Sequence, residues 1–578
     1  MPTLAITNFN IVLSVLGGWI SLFGLVSYLC KENFYLSEAL ISLLAGVAFS
    51  PAAANLIKPL EYTFGSQEDL NTVTLYFSRL VLGIQLVLAG VQLPSRYLRK
   101  QWRPLLWLLG PIMTAMWLST SLLIWGLVPK ISFLEALVVG SCVTPTDPVL
   151  SNVIVKGKFA DHNVPKELQD VIIAESGAND GLGYPFLFLG LYLLEVTWGA
   201  GEGGKDIKGA MGLWFGETWG YTILLSVVYG AVVGGGANKL LHWAEERKFV
   251  DRESFLVFAI SLALFIVGTC GMIGSDDVLA CFIAGNAFTW DDWFRLETLD
   301  DSLQPTIDML LNVSVFMWLG AVCPWQEFLV NGGVVPLYRL VILGVLVLMF
   351  RRLPWVFAIH RFIPQIEEVR QAIFVGFFGP VGVSAIFYLY ITLEFLKGRE
   401  PREEVEHLAE VVKIVVWFLA ICSIVVHGLS IPLGKLGFYL PRTFSRGVSV
   451  TSDGREFLPP IRSRVSTLVA RRPRRNSGDE LPATEPPSSD TRRSVYRIGG
   501  SVIPQGPAHG NPDIKTTTAD LGGLAMGADG SSSAVETDLE SPSLPGRTIR
   551  FPDESLVIAG PTTATEPGPA GAQHADST

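Results

Sequence analysis

Residues 140–150 read Gly140-Ser141-Cys142-Val143-Thr144-Pro145-Thr146-Asp147-Pro148-Val149-Leu150 and lie inside an apolar stretch running from about 131 to 154. Pro148 has no amide proton to give a helix and its ring clashes with the preceding turn; Pro145 does the same one turn earlier. A helix through this stretch is expected to break, freeing backbone carbonyls beside Thr144, Thr146 and Asp147. Irregular backbone at membrane depth is tolerated only in a protein interior or along a water-filled cavity. Carbonyls, hydroxyls and one carboxylate are hard oxygen ligands, suited to a small alkali cation. A proline kink made for packing alone is the plainer reading. It leaves the carboxylate unexplained, because a charge at hydrocarbon depth costs about 2.5–3.5 kcal/mol on insertion scales.

Outward from this stretch the chain is a series of similar apolar runs. A bilayer core needs about 20 mostly apolar residues per helix. About thirteen such runs lie near 9–29, 36–57, 71–93, 104–127, 131–154, 168–194, 213–239, 254–273, 277–290, 304–323, 336–359, 367–396 and 408–433. The first is too long and lacks the basic flank and cleavage site of a signal peptide, so it is expected to be a retained helix. Only 17% of the 578 residues are charged, and mean hydropathy is +0.41. Soluble domains carry roughly 25% charge, so a soluble multidomain enzyme is excluded. The six cysteines show no paired short spacing, which argues against a disulfide framework or zinc ribbon. A net charge of −10 gives no warrant for a nucleic-acid partner.

Two further runs break the apolar pattern. The sixth carries Glu175-Ser176-Gly177-Ala178-Asn179-Asp180-Gly181, with Gly183 close behind. Asp180 sits well inside this run, and the glycines let another backbone come close. Burial disfavours a bare carboxylate, so Asp180 needs either a proton or a metal cation. One carboxylate with two mutually exclusive positive ligands is the physical requirement of an exchanger. The alternative is a neutral, hydrogen-bonded structural acid. The twelfth run contains Gly379-Pro380-Val381-Gly382-Val383 at mid-span. Interrupted segments in corresponding halves point to the binding site of a secondary transporter. Runs five and twelve are seven apart, so runs 1–6 and 8–13 read as two inverted six-helix repeats with crossed broken helices. Half-helix ends at such a crossing need positive groups for carbonyls and negative groups for amides. Arg351 and Arg352, at the end of the eleventh run, are candidates for the positive group; equally, both read as positive-inside flanks, which is the preferred reading for Arg352. Asp276 and Asp277 open the ninth run, either as an acidic vestibule or as a helix cap. His360 and His427, at span ends, read as tolerated rather than functional.

Lys and Arg cluster at 96–103, 156–166, 239–252 and 442–446, in alternate loops. That places the N-terminus outside and the C-terminus in the cytoplasm. The acidic loop at 291–301 dissents. Beyond about residue 441 Pro, Ser, Thr, Gly and Ala dominate, and disorder is expected. The chain therefore divides into a transmembrane region, 1–440, and a cytoplasmic tail, 441–578. Residues 441–500 contain 12 Lys+Arg against 6 Asp+Glu. Arg471–Arg475 could attract anionic lipid, and Arg474-Arg475-Asn476-Ser477 has the spacing of a basophilic kinase site. A solvated linker is the simpler reading of both.

These motifs resemble those of the monovalent cation/proton antiporter superfamily and, within it, the fungal plasma-membrane sodium/proton antiporters. The resemblance covers about residues 10–440. It rests on Tyr35-Leu36-Ser37-Glu38-Ala39, Thr144–Leu150, Glu175–Gly181, Asp276-Asp277, Phe288-Thr289-Trp290-Asp291-Asp292-Trp293 and Gly379-Pro380-Val381-Gly382-Val383. The resemblance implies an all-α polytopic fold, a homodimer and an elevator motion of a mobile core against a dimerisation region. It also implies that Asp180 binds ion and proton, that Asn179 partners the helix crossing, and that Thr144, Thr146 and Asp147 line the site. Asp276 and Asp277 would contribute in the fungal group, with Glu175 and Arg351 as secondary charged groups.

The expected activity is export of cytosolic Na+, with Li+ and K+ as further candidates, against inward H+. Na+ would sit at Asp180 and Asp147 with no resident cofactor, in the service of salt tolerance and pH homeostasis. A proton-coupled organic-solute carrier and a membrane sensor signalling through the tail are the alternatives.

Overall fold

The computed structural model describes residues 8–30, 36–155, 164–199, 206–330, 333–399, 402–447, 496–498 and 501–503. Helices fill it: α1 (Asn8–Tyr28), α2 (Glu38–Phe49), α3 (Gln67–Gln92), α4 (Trp102–Leu127), α5 (Phe133–Cys142), α6 (Pro148–Val155), α7 (Lys166–Gly181) and α8 (Gly183–Trp198). They continue as α9 (Ile207–Glu246), α10 (Arg252–Ile273), α11 (Asp277–Phe288), α12 (Leu303–Val322), α13 (Leu337–Phe350), α14 (Leu353–Ile359), α15 (Val369–Phe377), α16 (Val383–Lys397) and α17 (Glu403–Gly447).

Each apolar run of the sequence carries helix. Among the described residues, nine stretches are long and apolar enough to cross a bilayer, with α7–α8 and α13–α14 each counting as one. The second and ninth runs form helices of only 12 residues, α2 and α11. At 1.5 Å per residue neither spans a hydrocarbon core of about 30 Å. The fifth run is split into α5 and α6 at 143–147, and the twelfth into α15 and α16 at 378–382, where the prolines and glycines stand.

Local chemistry sets the ends. Ser132 and Glu135 form a reciprocal capping box at the start of α5, with Ser132 N–H donating to Glu135 Oε2 at 2.7 Å and Glu135 N–H to Ser132 Oγ at 3.2 Å. Asp251 caps α10 in one direction only, its Oδ1 accepting from Ser254 N–H at 3.0 Å, and Gly274, at φ +78°, ends the helix. The acids of the dissenting 291–301 loop are mostly spoken for. Asp292 pairs with Arg295 at 2.5 Å, Asp301 with Arg252 at 3.5 Å, and Asp291 with His242 at 2.9 Å.

Packing sorts the helices into two groups. In one, α4 packs on α5 and α13, α5 on α8, and α16 on α17. In the other, α9 lies against α11, α2 against α12, and α3 against α10 and α11. The α3–α11 crossing is close because Gly285 faces Val87 O, where an added Cβ would stand 2.4 Å from that oxygen. The groups meet where α8 packs on α9, α16 on α3, α17 on α2, and α7 on α11 and α3. Both breaks and the Asp180 turn of α7 lie along or beside this seam.

Beyond residue 447 one short element is described, an antiparallel hairpin of Tyr496–Ile498 and Ser501–Ile503, in the segment expected to lack regular structure. Arg471–Arg475 and Ser477 lie outside the described residues.

Candidate functional site

The two breaks cross. Asp147 N–H donates to Pro380 O at 2.9 Å, tying the first break to the second. Four half-helix ends converge here, two offering unpaired amides and two offering unpaired carbonyls. One side chain serves each kind. Asp147 Oδ1 accepts from Val149 N–H (2.7 Å) and Leu150 N–H (3.1 Å) at the start of α6; Oδ2 accepts from Ser384 N–H (3.4 Å) at the start of α16. Gly382 makes this possible, since a Cβ there would stand 2.3 Å from Asp147 Oδ2. Arg351 does the converse. Its Nη1 donates to the carbonyls of Val143, Thr144 (3.1 Å) and Pro145 (3.3 Å) after α5, and its Nη2 to Gly379 O after α15. Both side chains are buried. The crossing therefore holds one anion on the amide ends and one cation on the carbonyl ends, as the dipole argument requires.

Asn179 stitches the first break to α7. Its Nδ2 donates to Thr146 Oγ1 at 2.7 Å and its Oδ1 accepts from Thr146 N–H at 3.1 Å. Ser176 and Ser151 extend the line of hydroxyls from Thr146. Thr144, grouped with these residues on sequence grounds, turns its hydroxyl back onto Gly140 O at 2.8 Å, and only its carbonyl reaches the crossing.

Arg352 is not the aqueous flank that its position suggested. It is 3% exposed and forms a two-pronged pair with Glu175 at 2.5 and 2.7 Å, while its Nε donates to Val375 O at 2.9 Å. The backbone turn between α13 and α14 puts it in mid-protein. His427, likewise read as a tolerated span-end residue, is buried and wired to the second break. Its Nε2 lies 3.0 Å from Phe377 O, and its Nδ1 3.1 Å from Ser423 Oγ, which in turn accepts from Val381 N–H at 2.7 Å. Nδ1 also lies 2.8 Å from Ser423 O, so both ring nitrogens face backbone carbonyls. His360 is half-buried in the short 3-10 turn that follows α14, with Nδ1 2.6 Å from Phe357 O.

Asp180 stands apart from all this. It is 1% exposed, yet neither carboxylate oxygen takes part in a hydrogen bond among the described residues. Its backbone carbonyl accepts from the Tyr388 hydroxyl of α16. The side-chain groups that act on its carboxylate are the Ser384 hydroxyl and the carboxylates of Asp147 and Asp276. Asp276 approaches across Gly181, where an added Cβ would lie 2.9 Å from Asp276 Oδ2. That aspartate serves both readings given to it: Oδ1 caps α11 through Leu279 N–H at 3.1 Å, whereas buried Oδ2 has no hydrogen-bond partner among the described residues. Asp277 points the other way, to Arg79 Nε of α3 at 2.7 Å. Among the described residues no cluster of three His, Cys, Asp or Glu side chains is placed to hold a metal ion. Oxygens near Asp180 that could complete a cation's shell include the unpartnered Asp276 Oδ2 and Ser384 Oγ.

Sequence reasoning missed the Arg352–Glu175 pair, Arg79, Tyr388 and Ser384. Arg79, a cation inside an apolar run, carried a usable signal; the others did not.

Comparison with known proteins completes the picture. The family model for the transmembrane region of sodium/hydrogen exchangers matches residues 19–433. A probable Na+/H+ antiporter of Schizosaccharomyces pombe is 36% identical over 82% of this chain and 60% of its own length. Na+/H+ antiporter 2 of Zygosaccharomyces rouxii is 36% identical over 76% of this chain and 54% of its own. The chain thus spans between half and two thirds of the length of these relatives. Among solved structures, the sodium proton antiporter MjNhaP1 of Methanocaldococcus jannaschii superposes with a TM-score of 0.53 at 16% identity, covering 73% of this chain and 96% of that one, a likeness of fold. With its broken helices, its crossing and the extent of the family match, this chain belongs to the sodium/hydrogen exchanger family.

Proposed function

We propose that the protein is a plasma-membrane antiporter that exports cytosolic Na+ against inward H+, with Li+ and K+ as further cargo, and that Asp180 is the group both ions compete for. One observation carries this reading. Asp180 is a fully buried carboxylate, inside an apolar helix pair, with neither oxygen hydrogen-bonded among the described residues, beside a crossing whose charges are engaged. Such a group is costly bare and is stabilised by a proton or a cation. Asp147 is then the fixed anion of the crossing rather than the carrier, since three amides already hold its oxygens. Asn179 and Thr146 hold the break at the right height beside it.

Alternating exposure would come from the group carrying α5, α7 and α16 sliding against the group carrying α3 and α11, in a homodimer. The N-terminus would face outward, with the 441–578 tail cytoplasmic and open to kinases or anionic lipid. Salt tolerance and pH homeostasis would follow. The test is Na+-driven proton flux in proteoliposomes. Asp180→Asn should abolish it at wild-type protein level. Undiminished exchange by that variant would sink the reading, and proton flux driven by an organic solute without Na+ would favour a solute carrier instead.

A further inference from the structure

Several buried side-chain oxygens take part in no hydrogen bond among the described residues, the Ser42, Ser78, Thr120 and Ser121 hydroxyls included; four of them belong to the Asp180 turn and the helix starts that face it, Asp180 Oδ1 and Oδ2, Asp276 Oδ2 and Ser384 Oγ. The first three belong to carboxylates already discussed. The fourth is a neutral hydroxyl, and a serine that is 1% exposed normally bonds a nearby carbonyl. On a helix that partner is close at hand, one turn back. Ser384 has no such turn behind it. It is the second residue of α16, and the chain before it is the non-helical break at 378–382. The break thus removes the carbonyl that would have occupied the hydroxyl.

Its direction is fixed by its neighbours. The Ser384 N–H is held toward Asp147 Oδ2. Tyr388, four residues on and hence on the same helix face, sends its hydroxyl to Asp180 O and to Gly181 O (3.3 Å). The start of α16 that carries the Ser384 hydroxyl is thereby set against the Asp180 turn, and no hydrogen bond engages that hydroxyl among the described residues.

We propose that Ser384 Oγ is a direct ligand of the transported cation, supplied by the second broken helix opposite Asp180, and that it favours the small cations Li+ and Na+ over K+. This rests on the assignment of Asp180 as the ion-binding carboxylate. A hydroxyl presents lone pairs to a cation and, with the cation gone, a proton to whichever carboxylate oxygen is ionised, so one side chain serves both halves of the exchange. A short, neutral oxygen on a helix end suits a small ion, whose shell tolerates less variation in distance than that of a larger one.

The experiment compares wild type with Ser384→Ala, Ser384→Cys and Asp180→Asn, each as the full chain in proteoliposomes, with exchange measured for Li+, Na+ and K+. Ser384→Ala should raise the half-saturating Li+ and Na+ concentrations about tenfold, in line with the loss of one charge-assisted contact. Its K+ value should stay within about twofold, a shift no larger than an ordinary surface change produces. Ser384→Cys keeps the volume but offers a soft sulfur that alkali cations bind poorly, so it should behave like Ala. Wild-type selectivity in Cys would make Ser384 a packing residue, and equal shifts for all three ions would make it a structural one; either overturns the assignment. If Asp180→Asn is inactive while both Ser384 variants match wild type, the assignment fails alone. If Asp180→Asn still exchanges, the carboxylate reading fails with it.

Discussion

The crossing and the Asp180 turn sit side by side, equally buried, and treat charge in opposite ways. At the crossing, Asp147 and Arg351 are saturated: seven backbone groups from four helix ends are accounted for by two side chains. One turn away, Asp180 has both oxygens unengaged among the described residues. A saturated buried charge is architecture, because removing it leaves orphaned polar groups. An unsaturated one is a site, because something must arrive to complete it.

The comparison can be broken in several places. The largest effect belongs to Arg351→Met, which orphans four buried carbonyls. At about 1–3 kcal/mol each the total rivals the stability of a whole domain, so folded protein should be lost in a detergent thermal-shift assay. A variant that melts like wild type would show that Arg351 is not needed there.

Arg352→Met comes next. It strands Glu175 as an unpaired buried charge, at a cost of about 3–5 kcal/mol. Adding Glu175→Leu should restore most of that, because an apolar pair replaces a buried ion pair at little net cost. Failure of the double variant to recover would assign the two residues separate tasks. Asp180→Asn should abolish exchange yet melt within about 3 °C of wild type, or above it, since no native hydrogen bond is given up. A fall as deep as that of Arg351→Met would erase the distinction between site and scaffold.

The smallest effect lies outside the spans. The Arg295 hydrogen bond, helped by its charge, holds the Asp292 carboxyl below its ordinary value. The stability this supplies is present above the unfolded value of about 3.9 and is lost as pH falls through the depressed folded value. For a pair so near the surface it amounts to less than about 1 kcal/mol. Asp292→Asn, which suits the left-handed backbone at φ +70°, should flatten the part of the melting-temperature profile that falls as pH drops below the unfolded value of about 3.9.

How much of this could be read in advance depends on whether the cause was local. The breaks were legible because proline and glycine act on their own turn, and the helices because apolar runs announce themselves. Asp180 was legible because a carboxylate in an apolar run is conspicuous wherever it ends up. Arg351 followed from a dipole argument once the breaks were expected to cross. Arg352 did not, because its partner lies 177 residues away, at Glu175, and nothing in either local sequence names the other. His427 and Ser384 failed for the same reason. Each takes its meaning from the second break, and a buried histidine with satisfied nitrogens looks no different in sequence from one dangling at an interface. The ninth run shows a different limit: composition marked it apolar and short, but not that Asp276 would both cap it and face Gly181.

The pairing of Asp147 with Arg351 also has an electrical meaning. Moving one elementary charge across a membrane costs or yields about 2.3 kcal/mol per 100 mV. One carboxylate and one guanidinium, clasping two helix ends each, sum to zero, and Arg352 with Glu175 sum to zero again. A rigid block carrying these pairs can be displaced along the membrane normal without net work against the voltage. In the cycle proposed here, only the state of Asp180, bare or loaded, then decides how that passage responds to the membrane potential.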